Sequence, residues 1–331
     1  MATQKLDVLL YGLGAIGSFY AFIISRNENV RLTVVARSNY EAVKANGIQI
    51  TSENHGEHRV VPYRVVRTAA EAATTFDYIV CAHKALNQAS VPSQIASCVS
   101  DRETTIAIIQ NGVGNEEPFR AAFPTATIIS GVTWVGAKQT EPGIVAHTSS
   151  EDLQVGLFEN KHGDSALDNR NLERFASLLA GGKTVFQVVP NIQVQRWEKV
   201  VWNAAWNSLT TLTLMDTHSW LNSSVEATPM TRRLMREVID VAKALDVPIE
   251  YDLVDKLLGK ILSMPPIYSS MKVDFDNGRP MEVDIILGYP VRKGRELRIP
   301  IPTVETIYTI LTAINMRLTL AQSAGKLNAS L

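Results

Sequence analysis

Residues 6–11 form one short apolar run, the pattern of a strand covered on both faces in a parallel sheet. Similar runs recur at residues 31–36, 76–82, 104–110, 127–134, 143–149, 153–158 and 184–189. Residues 47–66 read as extended segments broken by a turn at Glu53-Asn54-His55-Gly56. Other turns fall at Glu141-Pro142-Gly143 and around residues 161–164, and a short amphipathic helix over 172–180 is stopped by Gly181-Gly182. After Pro190 the apolar period changes to that of helices, predicted over 197–209, 228–245 and 251–262, with two or three more to about residue 323. The pattern predicts an α/β domain over residues 1–189 and an all-helical domain over 190–331.

One helical stretch stands apart. Within 197–209, Lys199, Asn203 and Asn207 recur every four residues and share one face, with Gln195 extending it, while Val200, Val201, Trp202, Ala204, Ala205 and Trp206 cover the rest. Asparagine is a poor helix former, so two of them here need a reason. They form either an ordinary solvated stripe or the lining of a cleft with one amine and two amides.

The α/β part carries its own candidate chemistry. Directly after the first strand comes Gly12-Leu13-Gly14-Ala15-Ile16-Gly17, opening a helix. In a dinucleotide fingerprint the first glycine permits the turn, the second lets backbone approach a pyrophosphate, and the third lets helix and strand pack closely. The phosphates then meet the helix N-terminus. Alone the motif is weak evidence; here it sits between a strand and a helix, with a second strand at βαβ spacing. That second strand ends in Arg37-Ser38-Asn39, where an NAD-specific protein would carry an acidic residue for the ribose hydroxyls. Arg37 would complement a 2′-phosphate, with Ser38 and Asn39 as supporting donors, so NADP(H) is the expected cofactor. Lys84 and Asn111 follow two further strands and fall at the same carboxyl edge of the sheet, although each taken singly is an ordinary loop residue. Asn115 is the expected cap of the helix that follows, with Glu116 and Glu117 in its first turn.

Composition narrows the classes. With a formal charge of -1 over 331 residues there is no basic excess for nucleic acid. Cys81 and Cys98 are the only cysteines, too few for a disulfide framework, so a reducing cytoplasmic setting is expected. Residues 8–25 lack charge, but their glycines mark strand, turn and helix rather than a membrane span or signal peptide. The six histidines form no recognised metal pattern with the cysteines, and no G-x-S-x-G elbow occurs. Arg232, Arg233 and Arg236 read as a solvated face rather than an anion site. The apolar helix near residues 304–318 suits core more than a dimer interface, which leaves monomer or homodimer open.

Taken together, the glycine turn, His83-Lys84-Ala85, Gln110-Asn111-Gly112, Trp197-Glu198-Lys199 with Asn203 and Asn207, and Ser269-Ser270-Met271 through Asn277-Gly278-Arg279-Pro280-Met281-Glu282 resemble the ketopantoate reductase (2-dehydropantoate 2-reductase) family. The resemblance spans nearly the whole chain. It implies a Rossmann domain followed by an all-α domain like the C-terminal part of 6-phosphogluconate dehydrogenase, with the active site in the cleft between. It also implies NADPH-dependent reduction of 2-dehydropantoate to pantoate, on the route to pantothenate and coenzyme A. By position Lys199 would be the proton donor and Glu282 a partner of the substrate hydroxyl and of the cofactor site. Asn203, Asn207 and Ser270 would bind substrate, Ser270 at its carboxylate. Asn111 would sit between nicotinamide and substrate, and Lys84 would add positive charge. Standing alone, Glu282 would be a first-turn acid after Pro280 and Ser270 a helix cap. Asn87 stands where a relative carries glutamine. Reduction of another 2-oxo acid or ketone, or a non-catalytic sensor of the NADPH/NADP balance, are the competing expectations.

Overall fold

A computed structural model describes residues 5–100, 102–160 and 163–329, with side chains to residue 322. Lys161 and His162 of the anticipated turn lie outside the described residues. The chain opens with strand β1 (Leu6–Tyr11), helix α1 (Ala15–Ser25), β2 (Val30–Val35), α2 (Tyr40–Asn46), β3 (Ile48–Ser52), β4 (Gly56–Val60) and β5 (Arg64–Val66). It continues through β6 (Tyr78–Cys81), α3 (Val91–Ile95), β7 (Thr105–Ile109), α4 (Glu117–Ala122), β8 (Thr127–Thr133), β9 (Ala137–Glu141), β10 (Ile144–His147) and β11 (Leu153–Leu157). Then come α5 (Ser165–Gly181), β12 (Phe186–Val188) and the helices α6 (Ile192–Thr213), α7 (Thr217–Leu221), α8 (Ala227–Ala244) and α9 (Asp252–Ser263). Helix α10 (Ser270–Asp276), a wide π-helical turn at Asp284–Gly288, α11 (Tyr289–Leu297) and α12 (Pro302–Ala329) complete it.

The described residues fall into two compact units. One lies within Met1–Gln110 and Asn115–Ile192, the other within Asn111–Gly114 and Gln193–Leu331.

In the first unit the large sheet runs β12-β11-β8-β7-β6-β1-β2-β5 and is parallel except where β11 meets β8. Both faces are covered, as continuous apolar strands require. Leu6, Val8 and Leu10 point into a core with Phe19, Phe22 and Phe175, while Leu9 and Tyr11 point into another with Ile79, Cys81 and Ile106. From β1 the chain winds outward through β2 to β5, then returns to β6 on the other side, so the order reverses between β1 and β6. That reversal opens the crevice where α/β sheets take ligands.

A second sheet, β4-β3-β10-β9, lies in the same unit. Its edge strand β9, Ala137-Lys-Gln-Thr-Glu141, is absent from the hydrophobic pattern because it buries none of its five side chains. Helix α5 starts at Ser165, ahead of its amphipathic stretch, because the Asp164 carboxylate accepts the N–H groups of Ala166 and Leu167 at 3.0 Å each. Asn115 is not the cap of α4, contrary to expectation. Glu116 holds the cap position without a side-chain cap bond, and its buried carboxylate instead accepts from Ser130 Oγ at 2.6 Å. The amide of Asn115 is itself buried, 3.5 Å from Gln110 Oε1.

The second unit is helical apart from its loops. Val200, Val201, Ala204, Ala205 and Trp206 of α6 are buried, as are Leu234, Val238 and Ile239 of α8. Helix α12 is apolar on two sides but buries only its start: Val304, Ile307 and Leu311 are inside, whereas Ile310, Met316 and Leu320 are exposed. Glu237, buried, accepts the Val304 N–H at 2.9 Å, satisfying a donor at that start. Arg233 and Arg236 are exposed and Arg232 pairs with Asp255 at 2.6 Å, so this arginine face is solvated. Among the described residues no helix is long and apolar enough to cross a membrane.

Candidate active site

The three fingerprint glycines answer to different demands. Gly12 has φ +103°, and a Cβ there would lie 2.4 Å from the His83 backbone nitrogen, so the end of β1 closes directly on the end of β6. At Gly17 a Cβ would come within 1.9 Å of the Gly12 carbonyl oxygen, which is how tightly α1 packs on the turn. Gly14 is unlike either. Its φ of -86° and ψ of -164° suit any residue, and nothing lies within 4 Å of where a Cβ would stand. The fold does not need a glycine at this place, whereas a ligand pressed against the backbone would. Beyond it α1 begins at Ala15 with no side-chain cap on its first-turn N–H groups. This open cradle fits the pyrophosphate of a dinucleotide.

The rest of the turn is braced by polar pairs. Leu13 is buried, and its carbonyl accepts from Asn39 Nδ2 at 2.5 Å. Asn39 and Gln139 exchange two amide hydrogen bonds, of 3.1 and 2.9 Å. The buried Asn39 side chain is therefore committed inward and is no supporting donor for a phosphate. Arg37 and Ser38 are exposed, and Arg37 Nη2 donates to Tyr11 Oη at 3.0 Å. Lys84 is exposed just past β6. Beside it, Gln110 Nε2 donates to the His83 carbonyl at 2.7 Å, and Gln88 Nε2 to Gln110 Oε1 at 2.7 Å. Burial holds the His83 imidazole well below its ordinary pKa, at about 4, so it is neutral at physiological pH.

In the second unit the stripe on α6 is not solvated. Lys199 is 9 % exposed, Asn203 6 % and Asn207 4 %, while Gln195 is half-buried. The Nδ2 atoms of Asn203 and Asn207 are buried and have no protein acceptor, an arrangement that costs stability unless a ligand or water takes them. Burial, reinforced by the Arg196 guanidinium and opposed by the Glu282 carboxylate, pulls the Lys199 pKa from the ordinary lysine range down to about 7. Arg196, 1 % exposed and one turn before Lys199, is a neighbour that pattern reading passed over. No local signal marked it, since α6 also carries Gln193, Gln195, Glu198 and Lys199. Its Nη1 donates to the Gly112 carbonyl at 3.0 Å.

The segment Asn111–Gly114 belongs with this group. Val113 N–H donates to the Ile285 carbonyl at 3.2 Å, and Gly112 and Gly114, both at positive φ, leave no room for a Cβ against Ile285 and Tyr289. Asn111 Nδ2 donates to Glu282 Oε2 at 3.2 Å, immediately before the π-helical turn. Ser269, not Ser270, caps α10: its Oγ accepts the Lys272 N–H at 3.1 Å and the Thr210 hydroxyl at 2.8 Å. Ser270 is thereby left exposed at the helix start. Among the described residues no cluster of His, Cys, Asp and Glu could hold a metal ion.

Two family models cover most of the chain: Ketopantoate reductase PanE/ApbA over residues 8–160 and its C-terminal counterpart over 191–315. The chain belongs to the ketopantoate reductase family. It is thus a member of an oxidoreductase family, with a Rossmann-type sheet followed by a helical domain. The crystal structure of 2-dehydropantoate 2-reductase from Methylococcus capsulatus is similar with a TM-score of 0.84 and 34% identity, over 95% of this chain and 98% of that one. A 2-dehydropantoate 2-reductase from Nostoc sp. is 24% identical over 317 residues, covering 96% of this chain and 97% of its own. D-mandelate dehydrogenase, in its ternary structure with NADH and anilino(oxo)acetate, shares the fold with a TM-score of 0.84 at 20% identity, over 95% of this chain and 99% of that one.

Proposed function

We propose that this family member is an NADPH-dependent reductase of a 2-oxo acid, with 2-dehydropantoate, reduced to pantoate, as its first candidate substrate. The observation that carries the reading is the Lys199 amine, buried beside two amide donors that lack protein partners, with a pKa near 7. A general acid works best when its pKa lies near the working pH, and buried donors without acceptors suit a ligand's oxygens. The Gly12–Gly17 turn and Arg37 would hold the reduced dinucleotide, whose chemistry there would be hydride donation to the carbonyl carbon. The Lys199 ammonium stabilises charge on the developing alkoxide and gives it a proton. Asn203 and Asn207 orient the oxo acid, and Ser270 takes its carboxylate. Glu282, held by Asn111, accepts from the nascent hydroxyl, while Lys84 contributes positive charge to substrate and cofactor alike. The relatives named 2-dehydropantoate 2-reductase support the substrate, and the absence of an acidic residue at Arg37 supports NADPH over NADH. A reducing cytoplasm suits Cys81 and Cys98, both buried free thiols.

The test is loss of NADPH absorbance with 2-dehydropantoate and a panel of 2-oxo acids and ketones, run beside NADH. The expected result is turnover of 2-dehydropantoate with a clear NADPH preference. Faster turnover of another oxo acid moves the substrate but keeps the reaction class. Tight NADPH binding with no turnover of any panel member overturns the reading in favour of a sensor.

A further inference from the structure

We infer that Tyr11 is a specificity-positioning residue, a buried phenol that holds Arg37 ready for the 2′-phosphate of NADPH. The inference rests on the NADPH reading above and names a residue outside the glycine turn and outside the arginine itself. Tyr11 ends β1 and immediately precedes Gly12, and it is 2 % exposed. Its ring is fixed edge-on against His83, with centroids 5.0 Å apart at 85°. Its hydroxyl donates to Gln94 Oε1 at 2.6 Å and accepts from Arg37 Nη2 at 3.0 Å. Gln94 is oriented in turn, because its Nε2 donates to Ser90 Oγ at 3.0 Å and to the Ser90 carbonyl at 3.2 Å.

Every donor in this chain points the same way, from Arg37 through Tyr11 and Gln94 to Ser90. Each bond therefore polarises the next. With its proton committed to Gln94, the Tyr11 oxygen presents lone pairs to Arg37. The guanidinium carbon also lies 5.8 Å from the Tyr11 ring centroid. An exposed arginine is otherwise rotamer-rich, and ordering it on binding costs affinity. Here the ordering is done beforehand by the residue that leads directly into the phosphate-binding turn, so the register of the ribose phosphate is tied to that of the pyrophosphate. Arg37 has further donors, so its bond to Tyr11 leaves N–H groups for a phosphate.

Tyr11→Phe removes the hydroxyl and keeps the ring. Dissociation constants for NADPH and NADH, measured by nucleotide fluorescence, are compared in wild type, Tyr11→Phe, Arg37→Ala and the double variant. The expected result is a loss of about three- to tenfold in NADPH affinity for Tyr11→Phe, with NADH affinity and melting temperature unchanged. In the Arg37→Ala background, itself weaker for NADPH by about ten- to a hundredfold, Tyr11→Phe should have no further effect. Equal losses for both nucleotides, or losses that add in the double variant, would show a merely structural tyrosine and overturn the inference. Wild-type NADPH binding in Tyr11→Phe, with the preference lost in Arg37→Ala, overturns the positioning role alone. No NADPH preference in the wild type overturns both that role and the reading it rests on.

Discussion

The glycine turn and the lysine helix, the two regions proposed to meet ligand, are made in opposite ways. Around Gly12 and Gly17 the fold removes atoms so that backbone can approach backbone, and the same removal at Gly14 leaves open space beside the start of α1. Around Lys199 the fold adds polar atoms and then buries them, leaving two amide donors without protein partners and an amine whose charge is disfavoured. The first region should cost the fold nothing to keep, since its close contacts are satisfied. The second should cost it stability, since desolvated polar groups are retained against the packing interest of the helix. The proposed function therefore coincides with foldability at Gly12 and Gly17, and parts from it at Lys199.

The sharpest break of that contrast is Gly17→Ala. A Cβ placed 1.9 Å from the Gly12 carbonyl oxygen forces backbone, not a flexible side chain, to move. A loss of about 4–5 kcal/mol is expected, enough to leave little folded protein, and a soluble variant with a near-native melting temperature would refute the packing account. Next is Lys199→Met, where the signs are opposed. Turnover should fall by about 10²–10⁴-fold while NADPH affinity holds. Stability at pH 6, measured by denaturant unfolding, should rise by about 1–3 kcal/mol because an apolar chain replaces a buried cation. A destabilised variant would mean that the Lys199 charge is well compensated in the fold.

The two regions also differ in how far they can be read from residues alone. The turn was legible because steric demands are local: glycine spacing, the strand before it and the helix after it are all contiguous. The spacing of Lys199, Asn203 and Asn207 was equally plain, yet whether the stripe faced water depended on what covers α6, and no local pattern carries that. Asn39 misled for the same reason. It sits beside an exposed Arg37, but its partners Leu13 and Gln139 are 26 and 100 positions away. Arg196 and Tyr11 went unread because an arginine beside a tryptophan and a tyrosine ending a strand have no fixed meaning until their partners are placed. Strand β9 and the start of α5 were missed where an edge and a cap, rather than an apolar period, set the structure.

Gly14→Ala separates ligand demand from fold demand within the first region. Nothing in the protein meets the added methyl and the backbone is ordinary, so the melting temperature should change by no more than a degree or so. If the cradle takes a pyrophosphate, the methyl overpacks it, and NADPH affinity should drop by about five- to a hundredfold. Unchanged affinity would mean the phosphates lie elsewhere.

The smallest effect, and the one that bears most directly on the lysine, is the pH dependence. Lys199 must be protonated to act as an acid, so kcat/KM for reduction should fall as pH rises through about 7, by about tenfold between pH 6 and 8. NADPH affinity should stay level from pH 7 to 9, because its proposed contacts are backbone amides, a guanidinium and Lys84, and His83, with a pKa near 4, does not titrate there. The stability effect has its own sign. A lysine whose pKa is lower folded than unfolded leaves the unfolded chain holding the extra proton between about pH 7 and the ordinary lysine value of ~10.4. Its cost to the fold is complete below that window and fades as pH climbs through it, so the stability advantage of Lys199→Met should shrink from pH 7 towards pH 10. A rate profile that stays flat from pH 6 to 9, in an enzyme that still loses turnover on Lys199→Met, would keep the lysine as an electrostatic anchor for substrate and remove it as the source of the proton.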